Sequence, residues 1–360
     1  MGIDDLPTRL RKFGDKVYSD VKVSELKGAR IAVDVSLIAK KQHSRSKTKI
    51  PPDEDASCLV AVMDLFQEFH KHSITPVFIF DGTSSTKKIG RANKRPLRYP
   101  KTQAALSALG IVAVLSEPDV EAEGVACRLL QVGVVQYVMT ADTDVLAFGC
   151  NQAVLSNDRR SLRIFDINKV MEAFALTPPQ FTAFCILRGT DFAKRATFDG
   201  NARAPSYKVL IKMIQECSDS DSVVDILTNL LSPENRQVYF NASVKFDLSK
   251  QIFSILTPAS TGTVWESTAD AGSIHDAFSS LWFSLADSHY TFPQILEIIS
   301  NTGVTLRIAR GRAQKILKII EMIRRAQQVS KTLTTENGGE RVQSSSSQSS
   351  NSDTDPQSSG

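Results

Sequence analysis

Long apolar runs are missing from this 360-residue chain, and with them any stretch that would span a bilayer as a helix. No charged and apolar leader opens it. Leu6 stands where a myristoylation signal beginning Met1-Gly2 needs Ser or Thr, so a soluble, intracellular protein with no membrane partner is expected. Cysteine is scarce: Cys58, Cys127, Cys150, Cys185 and Cys217 are odd in number, scattered, and never spaced as Cys-x-x-Cys. That argues against a disulfide framework and a zinc knuckle, and fits a reducing compartment in which the thiols pack as small hydrophobes. His70 and His72 end a helix-like stretch with no cysteine nearby, so a surface place is expected for them rather than ligation. No internal repeat is visible. Acid is absent from two segments, one holding Lys40, Lys41, Arg45, Lys47 and Lys49, the other Lys87, Lys88, Arg91, Lys94, Arg95, Arg98 and Lys101. A lysine run alone is usually a solvated face, and for the first segment that is the better reading.

What is present is a repeated strand ending. The apolar runs Ile31-Ala32-Val33-Asp34, Val77-Phe78-Ile79-Phe80-Asp81 and Tyr137-Val138-Met139-Thr140-Ala141-Asp142 all close on aspartate. In open α/β sheets the ligand crevice lies off the carboxyl ends of the strands, so these residues converge from distant positions. Glu121, Glu123 and Asp144 can join them. So many carboxylates repel one another unless a cation sits among them, and oxygen-only donors select a hard divalent ion, Mg²⁺ or Mn²⁺. Basic runs beside an acidic metal centre suit a polyanionic substrate. A single strand-end aspartate is more often a turn or cap residue, and Asp142-Thr143-Asp144 alone also fits a haloacid-dehalogenase-type phosphatase.

Residues 30 to 150 alternate strand-like and helix-like stretches: strands Arg30 to Val35, Pro76 to Phe80, Ile111 to Leu115 and Val134 to Thr140, with helices Ala56 to Lys71, Thr102 to Leu109 and one opening at Glu121. The expected fold class is α/β, a mostly parallel central sheet flanked by helices, with a helical C-terminal part. After Arg163 the pattern turns helical, with Thr177-Pro178-Pro179 as a helix start and further helices at Pro205 to Glu216 and Ser222 to Leu231. Residues 307 to 328 form a basic amphipathic pattern that either caps the core or meets duplex backbone. From Thr334 the chain is rich in Ser, Gln, Asn and Gly and is expected to lack fixed structure. The divisions are 1–105 for an N-terminal region, 106–220 for an internal region, 221–330 for a helical region and 331–360 for the tail.

Phe80-Asp81-Gly82 with Lys88 and Arg95, Glu121-Ala122-Glu123, Thr140-Ala141-Asp142-Thr143-Asp144-Val145-Leu146-Ala147-Phe148-Gly149 and Cys185-Ile186-Leu187-Arg188-Gly189-Thr190-Asp191-Phe192 occur in one order. With Met1-Gly2-Ile3 and Lys27-Gly28-Ala29-Arg30-Ile31-Ala32-Val33-Asp34, they resemble the flap endonuclease and XPG family of structure-specific 5′ nucleases from Met1 to about Glu216. The resemblance implies the 5′ nuclease, PIN-like fold and a cluster of Asp34, Asp81, Glu121, Glu123, Asp142, Asp144 and Asp191 holding two Mg²⁺ ions, for which Mn²⁺ substitutes. The first four would hold mainly one side and the last three the other. It further implies that 1–105 and 106–220 are N-terminal and internal nuclease regions and that the helical C-terminal part binds DNA, that Lys88 and Arg95 contact the scissile phosphate, that Gly2 lies near the DNA, and that Lys87, Arg91, Lys94, Arg203 and Lys208 bind nucleic acid.

The chain departs from the family in several places. Arg95 runs almost at once into Pro96, so the helical arch that gathers a free 5′ end is short or missing. Asp199-Gly200-Asn201-Ala202-Arg203-Ala204-Pro205-Ser206-Tyr207-Lys208 replaces the Gly-Ile-Gly-Pro-Lys-like turn of the helix-two-turn-helix element, which puts its monovalent-cation site in question. Lys40 stands where the family places a stacking aromatic, and no Gln-x-x-Leu-x-x-Phe-Phe-like sliding-clamp box is found. The reading is a Mg²⁺-dependent endonuclease, with 5′ exonuclease activity as an option, acting on flapped, nicked or branched DNA in the nucleus or at a site of viral DNA replication. The alternatives are an mRNA-degrading endonuclease of the viral host-shutoff type and a non-catalytic DNA-binding module.

Overall fold

The computed structural model describes residues 3, 6–39, 54–82, 99–154, 161–198, 203–256, 264–265, 270–282, 291–302, 308–318 and 321. Gly2, the basic segments around Lys40 to Lys49 and Lys87 to Arg98, and the tail lie outside these residues.

Among them a nine-stranded sheet forms the middle layer. Its strands are β1 (Tyr18–Lys22), β2 (Arg30–Asp34), β3 (Thr75–Phe80), β4 (Ala113–Ser116), β5 (Tyr137–Met139), β6 (Ala153–Val154), β7 (Ser161–Phe165), β8 (Phe253–Leu256) and β9 (Val264–Trp265), in spatial order β1-β7-β6-β5-β2-β3-β4-β8-β9. The five central strands, β6 to β4, are parallel, as the alternation predicts, and antiparallel strands close both flanks. The helices are α1 (Leu6–Phe13), α2 (Glu54–Lys71), α3 (Pro100–Ala108), α4 (Ala122–Gln131), α5 (Ile167–Phe174), α6 (Pro178–Arg188), α7 (Tyr207–Gln215), α8 (Val223–Leu230), α9 (Pro233–Lys245), α10 (Ala271–Trp282), α11 (Phe292–Ser300) and α12 (308–318).

Period-two alternation sorts the strand residues onto two cores. On β3, Val77 and Ile79 face a core shared with α1, α4, α6, α7 and α9, whereas Phe78 and Phe80 face a second core shared with α2, α3, α11 and α12. Both faces of the central strands are therefore buried, which is why β2 and β3 read as continuous apolar runs. Each buried Phe of β3 contributes about 2–3 kcal/mol of transfer free energy.

Helix starts follow the sequence signals. Thr177 caps α6 in a capping box with Gln180, and Ser222 caps α8 in the same way with Asp225. β7 carries the chain through Arg163 as far as Phe165 before Asp166 caps α5, so the helix begins later than the pattern after Arg163 suggests. Pairing decides that boundary: Arg163 lies opposite Asp20 on β1, binds it through both oxygens at 2.9 Å, and covers Tyr18 at 4.3 Å. The basic pattern near the C-terminus caps the second core where it is described: Ala309, Ala313 and Ile316 are buried, Arg312 pairs with Asp64 on α2 at 2.7 Å, and Arg310, Lys315 and Lys318 are exposed. The described cysteines are all free thiols, four of them buried.

Candidate metal centre

β5, β2 and β3 are adjacent and parallel, so their carboxyl ends open on one edge of the sheet. Asp34 is the last residue of β2, Asp81 follows the last residue of β3, and Asp142 lies three residues beyond β5. From the neighbouring β4, a turn through Asp119, in the left-handed region at φ 66°, delivers Glu121 to the N-cap of α4 and Glu123 to its first turn. Gly82 lets the β3 end pass close to this turn: a Cβ there would collide with the carbonyl oxygens of Ser116 and Glu117.

Hydrogen bonds run through the acidic residues in series. Asp34 Oδ1 accepts from Ser36 N–H at 2.8 Å, and Asp34 Oδ2 accepts from Thr140 Oγ1 at 3.0 Å and Ser36 Oγ at 3.2 Å. Thr140 Oγ1 in turn accepts from Asp142 N–H at 3.1 Å. Asp142 Oδ1 accepts from Asp144 N–H at 3.1 Å, capping the 3₁₀ turn Thr143–Leu146, and Asp144 Oδ2 accepts from Asp191 N–H at 3.2 Å. Asp81 Oδ1 caps α4 through Ala122 N–H at 3.0 Å. Glu121 makes no side-chain cap on its own helix, so its carboxylate is not committed to α4's first turn.

The centre is dry for so acidic a place. Asp34 is 3% exposed, Asp144 2%, Asp191 8% and Glu123 9%, while Asp81, Glu121 and Asp142 are half-buried. Burial, then the charges of Asp34, Glu121, Asp81 and Asp142, holds the Glu123 carboxyl well above the usual carboxylate range. Burial and the neighbouring Asp142 do the same to Asp144, against the N–H of Asp191, which lowers it. Asp144 Oδ1 is buried with no hydrogen-bond partner among the described residues. Such an oxygen costs free energy unless a cation reaches it, and the all-oxygen donors around it suit a hard divalent ion. Among the described residues no three acidic, His or Cys side chains stand close enough together to hold a metal ion. Like charges keep such side chains apart, and a cation is what draws them in. The residues fit a divalent metal.

The seven carboxylates expected from the sequence are thus brought to one edge of the sheet or to the loops and helix start beside it. Thr140 and Ser36, which tie Asp34 to its neighbours, were not singled out; a threonine at a strand end reads as strand, and only the fold turns its hydroxyl onto two aspartates. Lys87, Lys88, Arg91, Lys94, Arg95 and Gly2 lie outside the described residues. Arg203 and Lys208 are exposed at the start of α7, whose cap Ser206 Oγ accepts from Val209 N–H at 3.4 Å. Beside them Tyr207 is buried under two guanidinium groups, Arg188 at 4.7 Å and Arg9 of α1 at 5.4 Å from its ring centre. Positive charge from α1, α6 and α7 therefore gathers at that helix start.

Carboxylates gathered at the strand ends of a parallel α/β sheet suit phosphodiester hydrolysis, and the family comparisons make the chain a hydrolase of the nuclease class that acts on DNA. Two sequence-family profiles agree: the XPG N-terminal domain matches residues 1–102 and the XPG I-region residues 111–191, together just over half of the chain. The chain belongs to the XPG family of nucleases. A probable flap endonuclease 1 homolog of Danio rerio is 25% identical over 249 residues, 65% of this chain and 68% of its own length. The flap endonuclease-1 structure from Methanococcus jannaschii shares the fold at a TM-score of 0.56 and 15% identity, covering 86% of this chain and 98% of that one. The Holliday junction-resolving enzyme GEN1, solved with product DNA and a Mg²⁺ ion, does so at 0.55 and 13%, covering 88% and 78%.

Proposed function

We propose that this chain is a Mg²⁺-dependent, structure-specific endonuclease that hydrolyses phosphodiester bonds in flapped, nicked or branched DNA during replication, recombination or repair. The observation that carries the reading is the hydrogen-bonded series Asp34, Thr140, Asp142, Asp144, Asp191, with the orphaned Asp144 oxygen inside it. Asp34, Asp81, Glu121 and Glu123 hold one side of a two-ion centre, and Asp142, Asp144 and Asp191 hold the other. When bound, the divalent ions would supply Lewis acidity for phosphodiester hydrolysis. Mn²⁺ has the same hard-oxygen preference and substitutes for Mg²⁺.

The protein's own groups do the rest. Thr140 and the backbone N–H donors fix the carboxylate orientations before substrate arrives. Glu123 and Asp144, protonated more readily than ordinary carboxyls, would hold a cation in their ionised form. Lys88 and Arg95 stabilise charge on the scissile phosphate, with Lys87, Arg91, Lys94 and Gly2 nearby. Arg203 and Lys208, beside Arg9 at the start of α7, grip duplex backbone. The compartment is that of the substrate, a nucleus or a site of viral DNA replication.

The test is cleavage of end-labelled 5′-flap, nicked, Holliday-junction and RNA stem-loop substrates with Mg²⁺ or Mn²⁺, beside Asp142→Ala. Metal-dependent incision of branched DNA that disappears in Asp142→Ala, with DNA binding retained, is the expected result. Cutting of RNA alone replaces the proposal with messenger-RNA degradation, and binding without cutting of any substrate replaces it with a DNA-binding module.

A further inference from the structure

The last turn of α9 touches three of the segments that carry the carboxylates. Lys245, the final residue of α9, is half-buried, and its Nζ donates to the main-chain oxygen of Asp119 at 3.0 Å. Asp119 is the left-handed residue of the turn that delivers Glu121. The same ammonium lies 5.9 Å from the ring centre of Phe192, the residue after Asp191. The next residue, Phe246, packs edge-on against Phe192 at 5.8 Å and against Phe148 at 4.9 Å, and Phe148 closes the turn that carries Asp144.

This end of α9 is itself pinned. Gln251 Nε2 donates to the carbonyls of Lys245 at 3.2 Å and Asp247 at 2.9 Å, satisfying a helix-end acceptor. Gln251 fits only because residue 124 of α4 is glycine; a Cβ there would collide with Gln251 Oε1. Arg128 of α4 holds the adjoining segment through the carbonyl of Leu248 at 3.2 Å. The helix bearing Glu121 and Glu123, the turn bearing Asp144 and the loop bearing Asp191 are thus all referred to one point.

We propose that Lys245 and Phe246 form a strut that sets the separation between the Glu121–Glu123 side and the Asp144–Asp191 side of the centre, so that Lys245 is a positioning residue for divalent-cation binding. The proposal rests on the metal-centre reading above. Lys245 does not touch substrate; it acts through the Asp119 carbonyl, and an apolar chain of equal length at 245 keeps the packing while losing the bond.

Binding of Mn²⁺ to the DNA-free protein, followed by the loss of the free-ion paramagnetic signal, separates the possibilities. Asp142→Asn serves as the control that abolishes uptake. Lys245→Met is expected to bind Mn²⁺ about five-fold more weakly, with the metal-free melting temperature lowered by no more than the few degrees that one lost hydrogen bond costs. Lys245→Arg, which restores a donor, is expected to recover most of that affinity. In cleavage, the Mg²⁺ half-saturation rises in Lys245→Met while KM for flap DNA stays constant. Wild-type Mn²⁺ affinity in Lys245→Met overturns the strut, as does a raised KM for DNA with unaltered metal binding, which would make Lys245 a phosphate contact. No Mn²⁺ uptake by the wild-type chain overturns the metal centre itself, and the strut with it.

Discussion

Asp81-Gly82 shows how one residue pair serves both site and fold. Asp81 must reach the crevice while its chain passes against the β4–α4 turn, and the carbonyls of Ser116 and Glu117 leave room for hydrogen but not for a methyl group. These are backbone atoms of the turn that carries Glu121, so they cannot swing aside as a side chain would. Gly82→Ala is expected to lower stability by about 1–3 kcal/mol, as overpacking does, and to weaken cleavage through displaced Glu121. Urea unfolding and cleavage rate measured together check this; a stable variant with normal cutting would show that the turn yields. Thr140 is the opposite case, a residue with nothing in its sequence position to mark it, yet its hydroxyl both donates to Asp34 and accepts from Asp142.

Among the elements, α2 and α3 show how the mouth of the crevice is framed. Asp55, in the first turn of α2, accepts from the N–H groups of Lys101 and Thr102 at 2.8 Å each and from Thr102 Oγ1 at 2.5 Å. One helix thereby supplies the N-cap of another, and the first turns of α2 and α3 are fixed side by side. Both Asp55 and Thr102 are buried, so the bonds are shielded from water. Asp55→Ala is expected to cost about 2 kcal/mol, the upper range for a lost cap, in a denaturant titration, with Asp55→Asn recovering part of it. A neutral Asp55→Ala would mean that hydrophobic contacts alone hold α3. The sequence marked both helices to within two residues at each N-terminus, because their apolar spacing is local. It did not mark the cap, because Asp55 and Thr102 are distant in the chain.

For the whole molecule, the buried acidic centre is a source of instability that the proposed cation would offset. Glu123 and Asp144 titrate above the ordinary carboxylate range when folded and within it when unfolded. Between those values the folded state holds more protons than the unfolded, so stability falls as pH rises. The melting temperature of the metal-free protein is therefore expected to fall as pH rises above the ordinary carboxylate range, and the gain on adding Mg²⁺ to grow over the same interval. Melting curves with and without Mg²⁺ across that interval decide it. A gain independent of pH would separate metal binding from these carboxyls.

The sequence by itself determined the parallel α/β centre and its strand ends, because burial on both faces writes a continuous apolar run, and its motifs, standing in one order, pointed to the seven carboxylates proposed as metal ligands. It also determined the packing of the cysteines as free thiols. Only the tertiary structure decided the antiparallel flanks: β1 and β7 carry charged, half-exposed residues, and β8 and β9 come from a stretch read as helical, joining the sheet through β4. Only it brought Lys245 to Asp119 and Phe246 to Phe148 and Phe192. The physical reason is one of range: periodicity and capping act over a few residues and are written locally, whereas edge pairing and long-range side-chain contacts depend on which surfaces the packed core leaves adjacent.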